Sequence, residues 1–203
     1  MWNDCLERKT LVRDERSRWE HGLVPYVFDR KLNDYQIRLV FRAFKAIQDV
    51  SCVAFKERKN QKDFIHIVIG HNIGEQDFSL SEDCFRTGPI MHELMHSLGF
   101  IHEHTRCDRD NYVNINITNI KAGFVKANFE KRNCQNIDYF NLSYDFNSIM
   151  HYKGHEFAID PAYPTIYRID DNKYPVFNIN KQLGNDNLSE LDIKKLRLAY
   201  KCF

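Results

Sequence analysis

His92-Glu93-Leu94-Met95-His96-Ser97-Leu98-Gly99-Phe100-Ile101-His102 is the segment that decides how this chain is read. Its fixed positions spell H-E-x-x-H-x-x-G-x-x-H. Five specified residues, each a few per cent of average composition, coincide by chance in such a chain with odds on the order of 10⁻⁵ to 10⁻⁴. The spacing has a geometric meaning. His92 and His96 are four apart, so on a helix they share one face about one turn from each other. Both imidazoles can then meet one Zn²⁺ at about 2.0–2.1 Å. Glu93 lies about 100° around the helix and flanks the metal without ligating it. His102 would point about 80° away from His92 if the helix continued, so the chain must turn after His96. Gly99 permits a left-handed helix stop that brings His102 back. Three neutral histidines leave a coordination position for water, the mark of a catalytic site. The metal lowers the pKa of that water, and Glu93 is placed to take its proton and pass it to a leaving amine.

Outward from this segment, composition narrows the choices. The 203 residues suit one domain, or one domain with a deep cleft. A hydrophobic content of 43% argues against disorder. The 29 Lys and Arg against 28 Asp and Glu argue against a dedicated nucleic-acid binder. No apolar run approaches the roughly 20 residues needed to span a bilayer. Six cysteines, even in number and scattered without a CxxC pair, read as disulfides of a secreted protein. Sequons at Asn116, Asn141 and Asn187 point the same way. The first nine residues hold no apolar signal segment, which leaves a cytosolic protein or a piece of a longer precursor as alternatives.

Periodicity places the elements. Leu23–Phe28 reads as a strand, and Pro25 suggests an edge position. Asn33 or Asp34 caps a helix to about Val50, with Tyr35, Ile37, Val40, Phe41, Phe44 and Ile47 as its apolar stripe. Cys52–Phe55 is short and β-prone, Phe64–Ile69 reads as a buried strand, and Phe78–Leu80 as a short edge strand. The motif helix covers about Gly88–Leu98. Regularity is then lost for most of ninety residues. A last helix starts from an N-cap at Ser189, with Ile193, Leu196 and Tyr200 on one face. A regular first half and an irregular second half suggest two subdomains.

His92–Asp110, HELMHSLGFIHEHTRCDRD, resembles the extended zinc signature of the astacin family of metalloendopeptidases, within the metzincins. Ser148-Ile149-Met150-His151-Tyr152 resembles that family's Met-turn. Trp19 with Val24-Pro25-Tyr26, Asp110-Asn111-Tyr112-Val113, and Leu188–Asp192 through Tyr200-Lys201-Cys202 resemble further landmarks in the same order, so the similarity runs from about Thr10 to Cys202. It implies an α+β, zincin/metzincin-like fold: an N-terminal twisted mixed sheet with two long helices, an irregular C-terminal subdomain with a terminal helix, and an active-site cleft between. The two subdomains would span about 10–99 and 100–203, with residues 1–9 a propeptide remnant and Thr10, after Arg8-Lys9, the mature N-terminus. Asp4 or Cys5 could reach the zinc in a latent form.

The resemblance also implies roles. His92, His96 and His102 would hold one zinc ion, and Glu93 would be the general base. Met150 would floor the metal. Tyr152 would ligate zinc at rest and swing away to bond the oxyanion. Glu103 would accept a water-bridged contact from the mature N-terminal ammonium. His151 is not a family ligand, and the remaining histidines (His21, His66, His71, His104, His155) are expected to be surface or core residues. Cys52 and Cys202 match cysteines that tie the N-terminal subdomain to the C-terminus. Cys84 matches a second family cysteine whose usual partner is missing. Cys5, Cys84, Cys107 and Cys134 then allow three pairings, of which Cys107–Cys134 is preferred on loop length. Gln76–Ser81 should be the edge strand that pairs with an extended peptide. Arg168 falls near the region that shapes the S1′ pocket, where a cation would favour an acidic residue after the scissile bond. The expected activity is zinc-dependent hydrolysis of internal peptide bonds by a secreted, monomeric catalytic domain acting on proteins or peptides, without nucleic-acid or membrane partners. The alternative is a catalytically silent binding protein of the same family.

Overall fold

The computed structural model describes residues 18–69, 77–169, 175–176 and 183–203. Thr10, the Arg8-Lys9 site, Asp4, Cys5 and His71 lie outside them. The N-terminal half is a four-stranded sheet in the order β2-β1-β3-β4, made of β1 (Leu23–Phe28), β2 (Ala54–Glu57), β3 (Ile65–Ile69) and β4 (Asp77–Leu80). Every pairing among these strands is parallel. Antiparallel pairing falls instead in the C-terminal half, where β5 (Val113–Ile115), β6 (Ile166–Ile169) and β7 (Pro175–Val176) form a second sheet. The expected mixing of strand directions is thus divided between two sheets. Parallel neighbours need a crossover, and helix α1 (Asp34–Val50) supplies it between β1 and β2.

Pro25 does not mark an edge strand, because β1 lies between β2 and β3. The carbonyl of Tyr26 accepts from Arg58 N on the β2 side at 2.9 Å, so the nitrogen of Pro25 faces β3. Pairing with β3 begins only at Tyr26. The missing donor therefore falls just before the β3 ladder starts.

Helix α1 begins with a reciprocal cap. Asn33 Oδ1 accepts from Gln36 N at 3.0 Å, and Gln36 Oε1 accepts from Asn33 N at 2.9 Å. Its inward stripe is Leu39, Val40, Ala43, Phe44 and Ile47, each larger member contributing about 1.5–3 kcal/mol by burial. Tyr35 and Phe41, expected in that stripe, remain outside at 61% and 45% exposure. Phe41 instead meets the rings of Tyr26 and Phe28 edge-on.

Two hydrophobic cores follow. The first joins the parallel sheet, α1 and helix α2 (Thr87–Ser97) with Ile149, Met150, and Leu196 and Ala199 of helix α4 (Glu190–Ala199). The second gathers Val113, Ile120, Phe129, Tyr144, Phe157, Ile166 and Leu183, and includes the end of the short helix α3 (Phe124–Phe129). Met150 belongs to the first core and Tyr152 packs on the second. The segment between them is the seam at which the site lies. Helix α3 and the second sheet are regular elements in a stretch expected to be irregular. They are too short to carry a periodic signal.

Candidate metal centre and active site

Helix α2 carries His92 and His96. It is buried from Gly88 to Met95, and Pro89 sits in its first turn, where the absent N–H costs nothing. The helix stops on two bonds. Gly99 N donates to His96 O and Phe100 N donates to Met95 O, both at 2.8 Å. Gly99 has φ of 97°. This is the left-handed glycine stop read from the sequence, and the flanking Phe100 and Met95 both belong to the first core.

The turn brings His102 Nε2 to 3.2 Å from both His92 Nε2 and His96 Nε2. The other ring nitrogens settle the tautomers. His92 Nδ1 donates to Ile149 O and His96 Nδ1 to Phe100 O, each at 2.7 Å. Carbonyls only accept, so these Nδ1 atoms carry the protons and both Nε2 atoms present lone pairs to the common point. Two such acceptors facing a third nitrogen fit a shared cation. Ligands at 2.0–2.1 Å on a tetrahedral ion stand about 3.3 Å apart, close to the spacing here. The three ligand atoms are the one His/Cys/Asp/Glu group found among the described residues that could hold a metal.

Electrostatics agrees with this donor set. Burial lowers the His92 pKa to about 4. Burial, then the neighbouring His92, lowers His96 to about 3. His102 is held well below its ordinary value by burial and by the other histidines. All three are therefore neutral, as ligands must be. Glu93 is 5% exposed and burial pushes its carboxyl well above the ordinary range. A divalent ion beside it would reverse that direction.

The far wall comes from the chain after His102. Glu103 N donates to Met150 O at 2.9 Å, which joins the third histidine to the Met-turn. Met150 is 2% exposed. Helix α4 fixes this turn through Asp192, whose carboxylate accepts from Ser148 Oγ at 2.6 Å and Ile149 N at 2.8 Å. Tyr152 places its ring 4.5 Å from that of His102 and 4.1 Å from that of His104. The cleft pocket is lined by His92, Glu93, His102 and Tyr152, together with Lys153, Glu156 and Asn185.

The other expected site residues are spread more widely. The carboxylate of Glu103 is enclosed by Lys195 Nζ at 2.6 Å, Arg106 Nη1 at 3.0 Å and Asp145 N at 3.0 Å. Arg168 lies on β6 with its guanidinium 4.0 Å from the centre of the Phe146 ring, and does not line the cleft pocket. The cation that does line it is Lys153, paired with Asp186 at 2.9 Å. His151 is buried between Tyr144 Oη at 2.7 Å and its neighbour's carbonyl, Tyr152 O, at 2.6 Å. His104 is a core residue, whereas His21 and His155 are exposed. Disulfides join Cys52 to Cys202 and Cys107 to Cys134, with Cα atoms 5.3 and 5.5 Å apart. Cys84 is also disulfide-bonded. Lys195, Lys153, Glu156 and Asn185 carry no motif that would have singled them out. Ile149 and Asp192 lie within quoted landmarks, the Met-turn and Leu188–Asp192, without a role of their own, and Asp192 is also the third residue after the Ser189 cap.

A histidine pair on a buried helix, a third histidine beyond a left-handed glycine, and a methionine turn beneath them define a metzincin-type metallopeptidase fold. The chain belongs to the astacin family of peptidases, whose family model matches residues 11–201. It is 34% identical over 199 residues to zinc metalloproteinase nas-6 of Caenorhabditis elegans, covering 94% of this chain and 56% of that protein. It is 35% identical over 190 residues to high choriolytic enzyme 1 of Oryzias latipes, covering 89% and 66%. The solved structure of that enzyme, a hatching enzyme zinc-protease, superposes with a TM-score of 0.76 at 31% identity, over 92% of this chain and 94% of that one. The chain spans about half the length of the curated relatives it matches.

Proposed function

We propose that this chain is a secreted, zinc-dependent endopeptidase that hydrolyses internal peptide bonds of proteins or peptides. The observation that carries the reading is the convergence of three neutral histidine Nε2 atoms beside a buried glutamate. His92, His96 and His102 hold the metal. Zinc bound there supplies a Lewis acid that polarises the scissile carbonyl and acidifies water. Every remaining role belongs to the protein. Glu93 takes a proton from the attacking water and returns it to the departing amine. Tyr152, which lines the same pocket, directs its phenol to the oxyanion. Met150 closes the floor against water. An extended substrate adds to β4, one of the two outer strands of its sheet among the described residues, by main-chain hydrogen bonds. Disulfides such as Cys52–Cys202 suit an oxidising, extracellular setting.

The test is cleavage-site profiling of the zinc-loaded chain, with a chelator and with Glu93→Gln in parallel. The expected result is internal cleavage that chelation abolishes and zinc restores. Glu93→Gln should keep one zinc per chain and lose activity by at least about 10³-fold. Activity that survives in Glu93→Gln would overturn the mechanism. A wild-type chain that binds zinc and cleaves nothing would favour the silent binding protein instead.

A further inference from the structure

The ring of Tyr152 sits in a box of other rings. His104 stacks on it at 4.1 Å and 29°, Phe129 meets it edge-on at 5.8 Å, and Phe157 lies 5.7 Å away. At the hydroxyl end is Asn128 of α3, whose Oδ1 accepts from Tyr152 Oη at 3.4 Å. Asn128 is only 8% exposed. Its main-chain carbonyl accepts from His104 Nε2 at 2.9 Å, so the two residues that hold Tyr152 also hold each other. Yet Asn128 Nδ2 and His104 Nδ1 are buried without a hydrogen-bond partner. The amide oxygen of Asn128 faces the phenol, so Asn128 is the buried polar group at the hydroxyl end of Tyr152.

We propose that Asn128 is a positioning residue for Tyr152: its amide oxygen holds the phenol at the seat formed with His104 and so sets how readily Tyr152 reaches the three-histidine site. The inference rests on the metal-site reading above. A phenol that donates to Asn128 keeps its proton, whereas one that ligates a metal ion as phenolate has none to donate. Each gain on one side is therefore a loss on the other, and one neutral hydrogen bond is enough to move such a balance about fivefold.

The experiment reads the phenol directly. In the chain loaded with Cu(II), a coordinated phenolate gives a ligand-to-metal charge-transfer band that Tyr152→Phe removes. Asn128→Leu removes this acceptor, and the band should rise, by up to about fivefold. Asn128→Asp keeps an acceptor oxygen in the same volume and strengthens it, and its band should fall below that of the wild type. In the zinc enzyme, Asn128→Leu should lower kcat with KM held within about twofold, because the lost contact is not one made to substrate. Bands equal to wild type in both variants, with one Cu(II) bound per chain, would overturn the proposal. Should Asn128→Leu misfold, the Asn128→Asp band decides alone. A wild-type chain that takes up no metal refutes the metal-site reading itself, which is a separate outcome.

Discussion

His92 Nδ1 donates its proton to the carbonyl of Ile149 at 2.7 Å, across 57 residues of sequence. The bond does two things. It fixes the tautomer that leaves Nε2 free for a metal, and it makes the first metal-site histidine depend on the turn that carries Met150 and Tyr152. That turn is held in its place by Asp192.

Asp192→Ala should therefore be felt at the metal. The substitution removes the acceptor of Ser148 Oγ, Ile149 N and Ser189 N, all in or beside the buried turn. A loss of about 3 kcal/mol in stability is expected. Zinc affinity should fall by about tenfold or more, since Ile149 O no longer orients His92. Denaturant unfolding and a zinc competition assay measure the two effects. An unchanged zinc affinity would show that the turn holds its shape without helix α4.

Lys195→Met breaks a buried ion pair. Lys195 and Glu103 are 8% and 5% exposed at their side chains, and the Glu103 carboxylate loses one of its two cations. The expected cost is about 3–5 kcal/mol. Pairing it with Glu103→Gln removes the stranded charge, so the double variant should be more stable than Lys195→Met alone. A double-mutant cycle by chemical denaturation checks the sign.

Gly99→Val tests the turn that returns His102. Its φ of 97° is a conformation that a β-branched residue resists strongly. The expected outcome is about 2 kcal/mol or more of lost stability and a zinc site reduced to two well-placed histidines. Zinc content after dialysis reports it, and full occupancy would show that the helix end adapts.

Acid should unfold the metal-free chain early. The His151 pKa falls to about 4 by burial, from an ordinary 6.5. The unfolded chain thus binds the proton first, and stability drops as pH falls from 6.5 towards 4. At about 1.36 kcal/mol per pH unit, that displacement is worth on the order of 3 kcal/mol for His151 alone. His92 and His96 act in the same direction. Glu93 has the opposite sign: its raised carboxyl pKa removes stability as pH rises above the unfolded value. Glu93→Gln should accordingly stabilise the metal-free chain at neutral pH by about 1 kcal/mol or more. Unfolding curves between about pH 4 and 8 separate the two groups.

Local chemistry was legible in the sequence. The spacing of His92, Glu93, His96, Gly99 and His102 follows from about 3.6 residues per turn and from the need for a left-handed residue where the helix ends. The bounds of β1 and the Ser189 cap of α4 are local as well, and the structure places them as read; of the two cap candidates for α1, Asn33 and Asp34, it selects Asn33. The short strands β5 to β7 and helix α3 were not legible, because they hold too few residues for a period to show. Pro25 was misread as an edge signal, because whether a strand has a neighbour on a given side is not a property of that strand.

What the chain determines by itself is the identity and order of the metal-facing residues. What only the tertiary structure decides is who holds them: Ile149 for His92, Asp192 for the turn, Lys195 for Glu103, Asn128 for Tyr152. It also decides that Lys153 and Glu156, rather than Arg168, line the cleft pocket. The physical reason is distance along the chain. A helix repeats within about four residues, so its pattern is written locally. The bond between Lys195 and Glu103 spans 92 residues, and nothing near either one announces the other until the two cores have packed.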